Sequence, residues 1–366
     1  MQPMRDLSPK RPEAPRACAD PALAALGETI ERGLFGHERF GAIEAARQPV
    51  HRQGATLPGA PSVEAMWALI DAGALSIGDD EVRIVQTTAT GLRVLPPQDY
   101  ARPAQRAGRP ISTPDPARAR ALWAAGATIA FQRLDRCLAP LARTCAALSA
   151  SIGHPVQCSA YLSPPGGQGL DVHHDTHDVV VQQIGGSKTF QLFEPLVDRP
   201  VPRIDLTKDQ AAAARPTRRV TLGPGDLLYM PRGLPHCAVA GDTPSLHLTI
   251  GILSQSWASL VEPLAREIYF LEPLRRSVAA GAVFDGAALH EDAERAVEQI
   301  VSWLRAYGAE RLAALACETF VTSFGNRPGF DDTMPSPASA VEPAPGGGHY
   351  RLTPFGRTLR RPEQEA

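Results

Sequence analysis

The spacing of apolar residues changes twice along the chain. Between residues 156 and 253, short segments rich in Val, Ile, Tyr and Phe alternate with turns that contain Gly and Pro. These segments are VQCSAYL, DVVVQQI, KTFQLFEP, RRVTL, DLLYMP, HCAVA and SLHLTIGIL. Several short strands joined by such turns favour a β-sandwich or a β-barrel.

Helical periodicity comes before this region. ALAALGETIERGLF is typical of an amphipathic helix, and PSVEAMWALIDAGAL begins with Ser62 as a helix-capping residue. Asp115 and a following proline predict another helix start. Apolar residues at spacings of three and four predict a helix over 131–153, with a kink at Pro140 and an end at Gly153. The stretch 97–114 is interpreted as a connector rich in Pro, Gly and Arg.

Helical periodicity returns after the strand region and defines the predicted domains. Residues 1–20 are predicted to be a disordered tail and 21–253 the main domain, which includes the N-terminal helices. Residues 254–324 form a predicted helical region, and 325–366 a linker with a small C-terminal element. One stripe in the helical region is suited to packing against another helix; it comprises Ala296, Val297, Ile300, Val301 and Leu304.

Composition narrows the class of protein. The formal net charge of −2 gives no indication of nucleic-acid or anionic-membrane binding. The six cysteines are scattered singly, which favours reduced thiols over a disulfide framework. No apolar run approaches the roughly 18 residues of a membrane helix, and the N-terminus lacks the apolar segment of a secretory signal. The protein is therefore predicted to be soluble and cytoplasmic.

The segment LDVHHDTHDVVVQQI carries the candidate chemistry. Alternate residues of a strand share a face, so His173 and Asp175 point the same way. They provide two of the three ligands of the 2-His-1-carboxylate triad, which holds Fe(II) and leaves three positions open. His236, in a strand–turn–strand pattern, is the best third ligand, and His247 is the alternative.

Lys188 begins the segment KTFQLF on the same face as Phe190 and Leu192. A buried ammonium group is costly unless it is paired, and no acidic residue alternates with it on this strand. An anionic ligand is the natural partner; alternatively, the register is offset by one and Lys188 lies at a solvated strand end. Iron beside such a lysine suggests a 2-oxo acid that chelates the metal while its far carboxylate contacts Lys188.

The segment 159–195 resembles the JmjC-type 2-oxoglutarate oxygenases, in particular the cupin-4 or ribosomal oxygenase group. The resemblance continues in GDLLYMPRGLPHCAVA and SLHLTIGILSQSW and is strongest over about 130–260. It implies an α+β fold whose core is a double-stranded β-helix, the cupin/JmjC jelly roll, with flanking N-terminal helices and a C-terminal helical region.

The resemblance also implies roles for single residues. His173, Asp175 and His236 would bind Fe(II), and Lys188 would pair with the distal carboxylate of 2-oxoglutarate. The same comparison implies that the cosubstrate pocket is lined by Tyr161 and Ser159, although the family often has Asn at the serine position.

Further positions are matched less directly. His174 stands where the family has an aromatic residue and is expected to face the substrate. Gln183 matches a family glutamine, with a hydrogen-bonded core amide as the alternative. His247 matches a histidine that is not a ligand, and His177 is interpreted as a loop residue.

The implied function is hydroxylation of a protein or peptide side chain, with Fe(II), 2-oxoglutarate and O2. The substrate would be a ribosomal protein or a biosynthetic precursor peptide. The alternatives are a non-catalytic metal-binding cupin-like protein, a JmjC lysine demethylase and a cupin enzyme of another kind. The resemblance also implies a homodimer through 254–324 and, after it, a winged-helix module that is either reduced or differently built. No membrane or nucleic-acid partner is expected.

Overall fold

The structure is a computed structural model that describes residues 21–325, except 56, 89, 90, 107, 203, 270 and 279, and the strand pair 351–352 and 357–358. The predicted tail at 1–20 lies outside the described residues, as does the rest of the predicted linker after residue 325. Two compact units are present, one ending at Ser254 and the other spanning Gln255–Phe324.

The first unit contains thirteen strands. They are β1 (Val50–Arg52), β2 (Val82–Thr88), β3 (Gly91–Val94), β4 (Ala101–Arg106), β5 (Arg109–Pro114), β6 (Thr128–Phe131), β7 (Val156–Ser163), β8 (Asp178–Gly185), β9 (Lys188–Phe193), β10 (Pro216–Leu222), β11 (Leu227–Met230), β12 (His236–Ala240) and β13 (Ser245–Ile252). Two short strands, β14 (Arg351–Leu352) and β15 (Arg357–Thr358), pair with each other near the C-terminus.

The described residues also form eight α-helices and five short 3-10 helices. The α-helices are α1 (Pro21–Phe35), α2 (Phe40–Ala46), α3 (Val63–Asp71), α4 (Pro116–Ala124), α5 (Ala139–Ile152), α6 (Lys208–Ala213), α7 (Val261–Ile268) and α8 (Gly286–Gly325). Gly308 has a non-helical backbone and divides α8 into two helices. Among the described helices, none combines the length and apolarity needed to cross a lipid bilayer.

Two antiparallel sheets form the core of the first unit. The large sheet has the strand order β1-β11-β8-β13-β7-β6-β2-β3, and the small sheet has the order β10-β9-β12. Val179 and Val181 of β8 pack with residues of the small sheet such as Phe190 and Leu192. Val180 points to the other face, where the N-terminal helices form a second core. The predicted α+β fold with a jelly-roll core is confirmed.

The structure corrects two sequence predictions. The helix predicted over 131–153 begins only at Ala139, because strand β6 ends at Phe131 and Leu134–Arg136 form a separate 3-10 helix. Pro140 therefore lies in the first helical turn, where its missing N–H costs nothing, and it does not kink the helix. The end at Gly153, in a left-handed conformation, is confirmed.

The stretch 97–114 is also more ordered than a connector. Most of it forms the two-stranded ribbon β4–β5, in which Pro103, Pro110 and Pro114 are strand residues. Proline is tolerated in edge strands because an N–H group that faces away from the partner strand makes no ladder bond.

A close contact between α1 and α5 fixes the N-terminal helix against the core. A Cβ atom at Gly27 would lie 1.9 Å from the carbonyl oxygen of Ala147, so the two helices can approach this closely only at a glycine. Gly33 of the same helix is exposed and has no neighbour within 4 Å of the corresponding position.

This pair of glycines provides a matched test. We expect Gly27→Ala to lower the free energy of unfolding by about 1–3 kcal/mol, because α1 and α5 must move apart. Gly33→Ala should raise it by up to ~1 kcal/mol, because alanine has the higher helix propensity. Urea denaturation followed by circular dichroism measures both; equal effects would contradict the proposed contact.

Candidate metal centre

A short backbone segment brings the candidate ligands together. Residues 166–173 run antiparallel beside β12, with a hydrogen bond from Ala240 N to Gly167 O at 2.9 Å. At the end of this segment, His173 and His236 form a β-bridge in which each backbone N–H donates to the other carbonyl, at 3.1 and 2.8 Å. The pairing places both imidazoles on one side of the segment, with ring centroids 4.4 Å apart.

Asp175 completes a cluster of three potential ligands. One ligand atom from each of His173, Asp175 and His236 lies within 4.8 Å of the other two. The Nε2 atom of His236 is 3.7 Å from Oδ2 of Asp175. The backbone of Asp175 is held by Gly233, whose N–H donates to its carbonyl at 2.9 Å.

The ring orientations fit a metal ion. Nδ1 of His173 lies 2.7 Å from the carbonyl of Asp171, and Nδ1 of His236 lies 3.0 Å from that of Leu234. A carbonyl can only accept, so both Nδ1 atoms carry the proton in the neutral rings and both Nε2 atoms offer a lone pair. Two imidazole nitrogens and one carboxylate form the donor set of a facial iron site.

The electrostatics of the cluster also favour ligation. Burial, together with the nearby His173, lowers the pKa of His236 to about 4, so this ring is neutral near pH 7. Burial alone would raise the pKa of Asp175, but the positive charge that His236 and His173 can carry outweighs it and lowers this pKa. Neutral imidazole and ionised carboxylate are the protonation states that bind metal ions.

The three side chains face a cavity of about 110 Å³ between the two sheets. Lys188 lines the same cavity and is 2% exposed. Its Nζ donates to the hydroxyl of Ser163 at 3.0 Å, and Thr128 donates to the same hydroxyl at 2.9 Å. Within the described part of the chain, no carboxylate forms an ion pair with Lys188, and burial lowers its pKa to about 7.

Two aromatic rings form another wall of the cavity. Tyr161 of β7 pairs with His247 of β13, and the rings stack with centroids 5.1 Å apart and an angle of 11° between their planes. His247 does not belong to the three-residue ligand cluster. Burial, with Lys188 and His236 nearby, lowers the pKa of His247 well below its usual value, so this ring adds no positive charge.

Three predicted site residues do not line the cavity. Ser159 shares a face of β7 with Tyr161, but its hydroxyl accepts the N–H of Arg133 at 3.2 Å. Nε2 of His174 lies 2.8 Å from the carbonyl of Ile204. Gln183 donates to Gly185 O and Ser245 Oγ, which agrees with the alternative of a core amide.

The sequence interpretation missed residues that line the cavity or contact its lining residues. Ser163 contacts Lys188 directly and lies two positions after Tyr161, so strand alternation places both on one face. The same alternation along β13 places Thr249 beside His247 in the cavity wall. His177 was interpreted as a loop residue, and it packs against Gly251, where an added Cβ atom would lie 2.8 Å from its Nε2 atom.

Comparisons with known proteins agree on this region. Residues 136–260, which include the three candidate ligands and Lys188, match the model of the JmjC domain. Ribosomal oxygenase 2 of Bos taurus is 38% identical over 141 residues, which cover 37% of this chain and 29% of the relative. The bifunctional lysine-specific demethylase and histidyl-hydroxylase NO66 of Dictyostelium discoideum is 35% identical over 123 residues, or 32% of this chain and 24% of the relative.

Among solved structures, that of ycfD from E. coli has a TM-score of 0.46 and 18% identity, with 75% of this chain and 68% of the other covered. The chain spans less than a third of the length of the two curated relatives.

The buried lysine predicts a pH-dependent stability in protein free of metal and anions. The pKa of Lys188 is lowered in the folded state, so the unfolded state binds more protons between about pH 7 and 10.5 and stability rises with pH across this window. Lys188→Met should remove this effect and stabilise the protein more at pH 6.5 than at pH 9.5, with a difference of roughly 3 kcal/mol.

Urea denaturation at the two pH values measures the difference. The matched control is Lys208→Met, because Lys208 is exposed on α6. If Lys188→Met and Lys208→Met showed the same dependence on pH, Lys188 would not be buried as an unpaired amine.

Proposed function

Because this chain carries a JmjC domain related to the ribosomal oxygenases, we propose that it is an Fe(II)- and 2-oxoglutarate-dependent dioxygenase that hydroxylates a side chain of a protein or peptide. The observation that carries the proposal is the placement of two different sites in one cavity. The cluster of His173, Asp175 and His236 lines the cavity together with Lys188, which has no ion-pair partner among the described residues. A metal-chelating 2-oxo acid with a second carboxylate satisfies both.

In this proposal His173, Asp175 and His236 would hold the iron through two imidazole nitrogens and one carboxylate. The iron supplies oxygen activation that is coupled to oxidative decarboxylation of 2-oxoglutarate, which yields succinate. The protein fixes the two Nε2 lone pairs through the carbonyls of Asp171 and Leu234. Because these contacts use only chain atoms, the ligand geometry is set before the metal binds.

Lys188 pairs with the distal carboxylate of 2-oxoglutarate. Its Nζ already has the hydroxyl of Ser163 as a partner at 3.0 Å, so two polar groups lie together at this end of the cavity. A bound carboxylate favours the ammonium form and offsets the burial that lowers the pKa of the free amine. Tyr161 and His247, which stack on each other, line the same cavity as the lysine and the candidate ligands.

The substrate is proposed to be a side chain in a protein. The names of the relatives, ribosomal oxygenase and histidyl-hydroxylase, favour a ribosomal protein, and a biosynthetic precursor peptide is the second candidate. The protein is also proposed to be cytoplasmic.

The helical unit is proposed to form a homodimer. Val297, Val301 and Leu304 of α8 are 58%, 38% and 41% exposed in the single chain. They belong to the stripe that the sequence pattern predicts for helix packing, and a second copy would bury them.

The first test is turnover of 2-oxoglutarate to succinate by the purified, Fe(II)-loaded protein in air. We expect slow turnover by the wild type even without substrate, and none by His173→Ala, which loses a ligand. Lys188→Met should raise the KM for 2-oxoglutarate by roughly 10–100-fold, as expected for loss of a hydrogen bond to a charged group. His290→Ala, at an exposed histidine of α8, is the control and should match the wild type.

Calorimetric titration with 2-oxoglutarate in the presence of Mn(II) separates the alternatives. Absence of both binding and turnover would contradict the oxygenase and favour a metal-binding protein without catalysis. Turnover that is stimulated by a methylated lysine peptide, but not by ribosomal proteins, would favour a demethylase.

A further inference from the structure

Asp171 connects a candidate metal ligand to a distant hairpin. Its backbone carbonyl is the acceptor for Nδ1 of His173, at 2.7 Å. Its carboxylate Oδ2 accepts the backbone N–H of Leu92, at 2.6 Å. A single residue therefore orients the His173 ring with its main chain and binds the β2–β3 hairpin with its side chain.

Asp171 accepts a hydrogen bond from Leu92 at an edge of the sheet where backbone N–H groups usually face solvent. β3 is the outermost strand of the large sheet, so alternate N–H groups point away from β2. One of these, at Leu92, is bound by Asp171. A second contact joins the hairpin to the same backbone segment: the Thr87 hydroxyl donates to the carbonyl of Gln168 at 3.4 Å.

The approach of Asp171 requires a glycine in the hairpin. A Cβ atom at Gly91 would lie 3.1 Å from Oδ2 of Asp171, which is closer than most Cβ contacts. Gly91 also has a φ of +113°, which residues with a side chain rarely adopt. The local backbone is thus suited to bring the hairpin against residues 166–173.

The hairpin contacts residues 166–173 on the side away from β12. Residues 166–173 pair with β12 along one edge, and the contacts to Thr87 and Leu92 are made by Gln168 and Asp171 of this segment. Loss of the carboxylate contact would free the peptide unit of Asp171 to rotate. The carbonyl would then no longer hold the His173 ring in one orientation, and partners of this kind set the affinity of a histidine for its metal.

We propose that Asp171 is a positioning residue that couples the β2–β3 hairpin to the metal ligand His173. The inference rests on the metal site of the proposed function. It adds that the orientation of one ligand depends on a contact with an element outside the jelly-roll strands that carry the site.

Binding of Co(II) to the full chain tests the proposal without relying on catalysis. Asp171→Ala removes the acceptor, and Leu92→Pro removes the donor while leaving the aspartate in place. We expect each variant to bind Co(II) roughly 10-fold more weakly in calorimetric titration and to show an altered visible ligand-field spectrum. Asp171→Asn keeps an acceptor oxygen and should restore both the affinity and the spectrum of the wild type.

The matched control for the proline is Val94→Pro. Val94 is two positions along the same edge strand, so its N–H also points outward and proline is tolerated there. This variant should leave Co(II) binding unchanged. The double variant Asp171→Ala/Leu92→Pro should bind Co(II) no more weakly than the weaker single variant, because both changes break the same hydrogen bond.

Each outcome separates the inference from the function on which it rests. If the wild type binds Co(II) and Asp171→Ala and Leu92→Pro match it in affinity and spectrum, the coupling is wrong and the metal site stands. If the melting temperature of Asp171→Ala falls and Asp171→Asn does not restore the spectrum, Asp171 has only a structural role. If the wild type does not bind Co(II), the metal site and the proposed oxygenase are both wrong.

Discussion

The candidate metal site depends on the backbone bridge between His173 and His236, which places both imidazoles at the cavity. Two hydrogen bonds between main-chain atoms bring together residues that are far apart in the sequence. Each ring is then oriented by the carbonyl two residues before it, that of Asp171 or Leu234. The geometry of both nitrogen ligands therefore follows from strand pairing and not from packing of the side chains themselves.

The large sheet supports this arrangement because it is covered on both faces. β8 begins three residues after Asp175 and alternates between the cavity and the helical core, with Val179 and Val181 on one side and Val180 on the other. The next residue toward the helices, Gln182, bonds to the backbone of Ala55 and Leu57 at 2.7 and 3.0 Å. The backbone at Ala55 and Leu57 is thus fixed to β8, the strand that follows the candidate ligands His173 and Asp175.

Much of this could be predicted from the sequence, because period-two alternation and turn residues determine the seven strands from β7 to β13. The inward Lys188 follows from the same alternation, whereas His173 and Asp175 precede β8 and reach the cavity through the bridge between His173 and His236. Contacts between distant segments could not be predicted in this way. The bond between Leu92 and Asp171, and the partnership of Ser163 with Lys188, depend on strand order and register that a single sequence does not reveal.

Local signals were misleading where tertiary context decided the structure. Pro140 was interpreted as a kink because the apolar period continues upstream of it, yet the upstream residues Leu134–Arg136 form a separate 3-10 helix and α5 begins only at Ala139. The substrate-facing role of His174, taken from the family pattern, stays a prediction. Its Nε2 atom lies 2.8 Å from the carbonyl of Ile204, in the loop between β9 and α6, a contact that local signals do not reveal.

The burial of Lys188 has a consequence for how the cavity fills. An amine with a pKa of about 7 is largely uncharged in mildly alkaline solution, so an anion that pairs with it must bind together with a proton. Binding of the anion and protonation of Lys188 are then thermodynamically linked. The apparent affinity for a dicarboxylate therefore falls as the solution becomes more alkaline. The cavity would thereby respond to ambient pH through a residue outside the cluster of three candidate ligands.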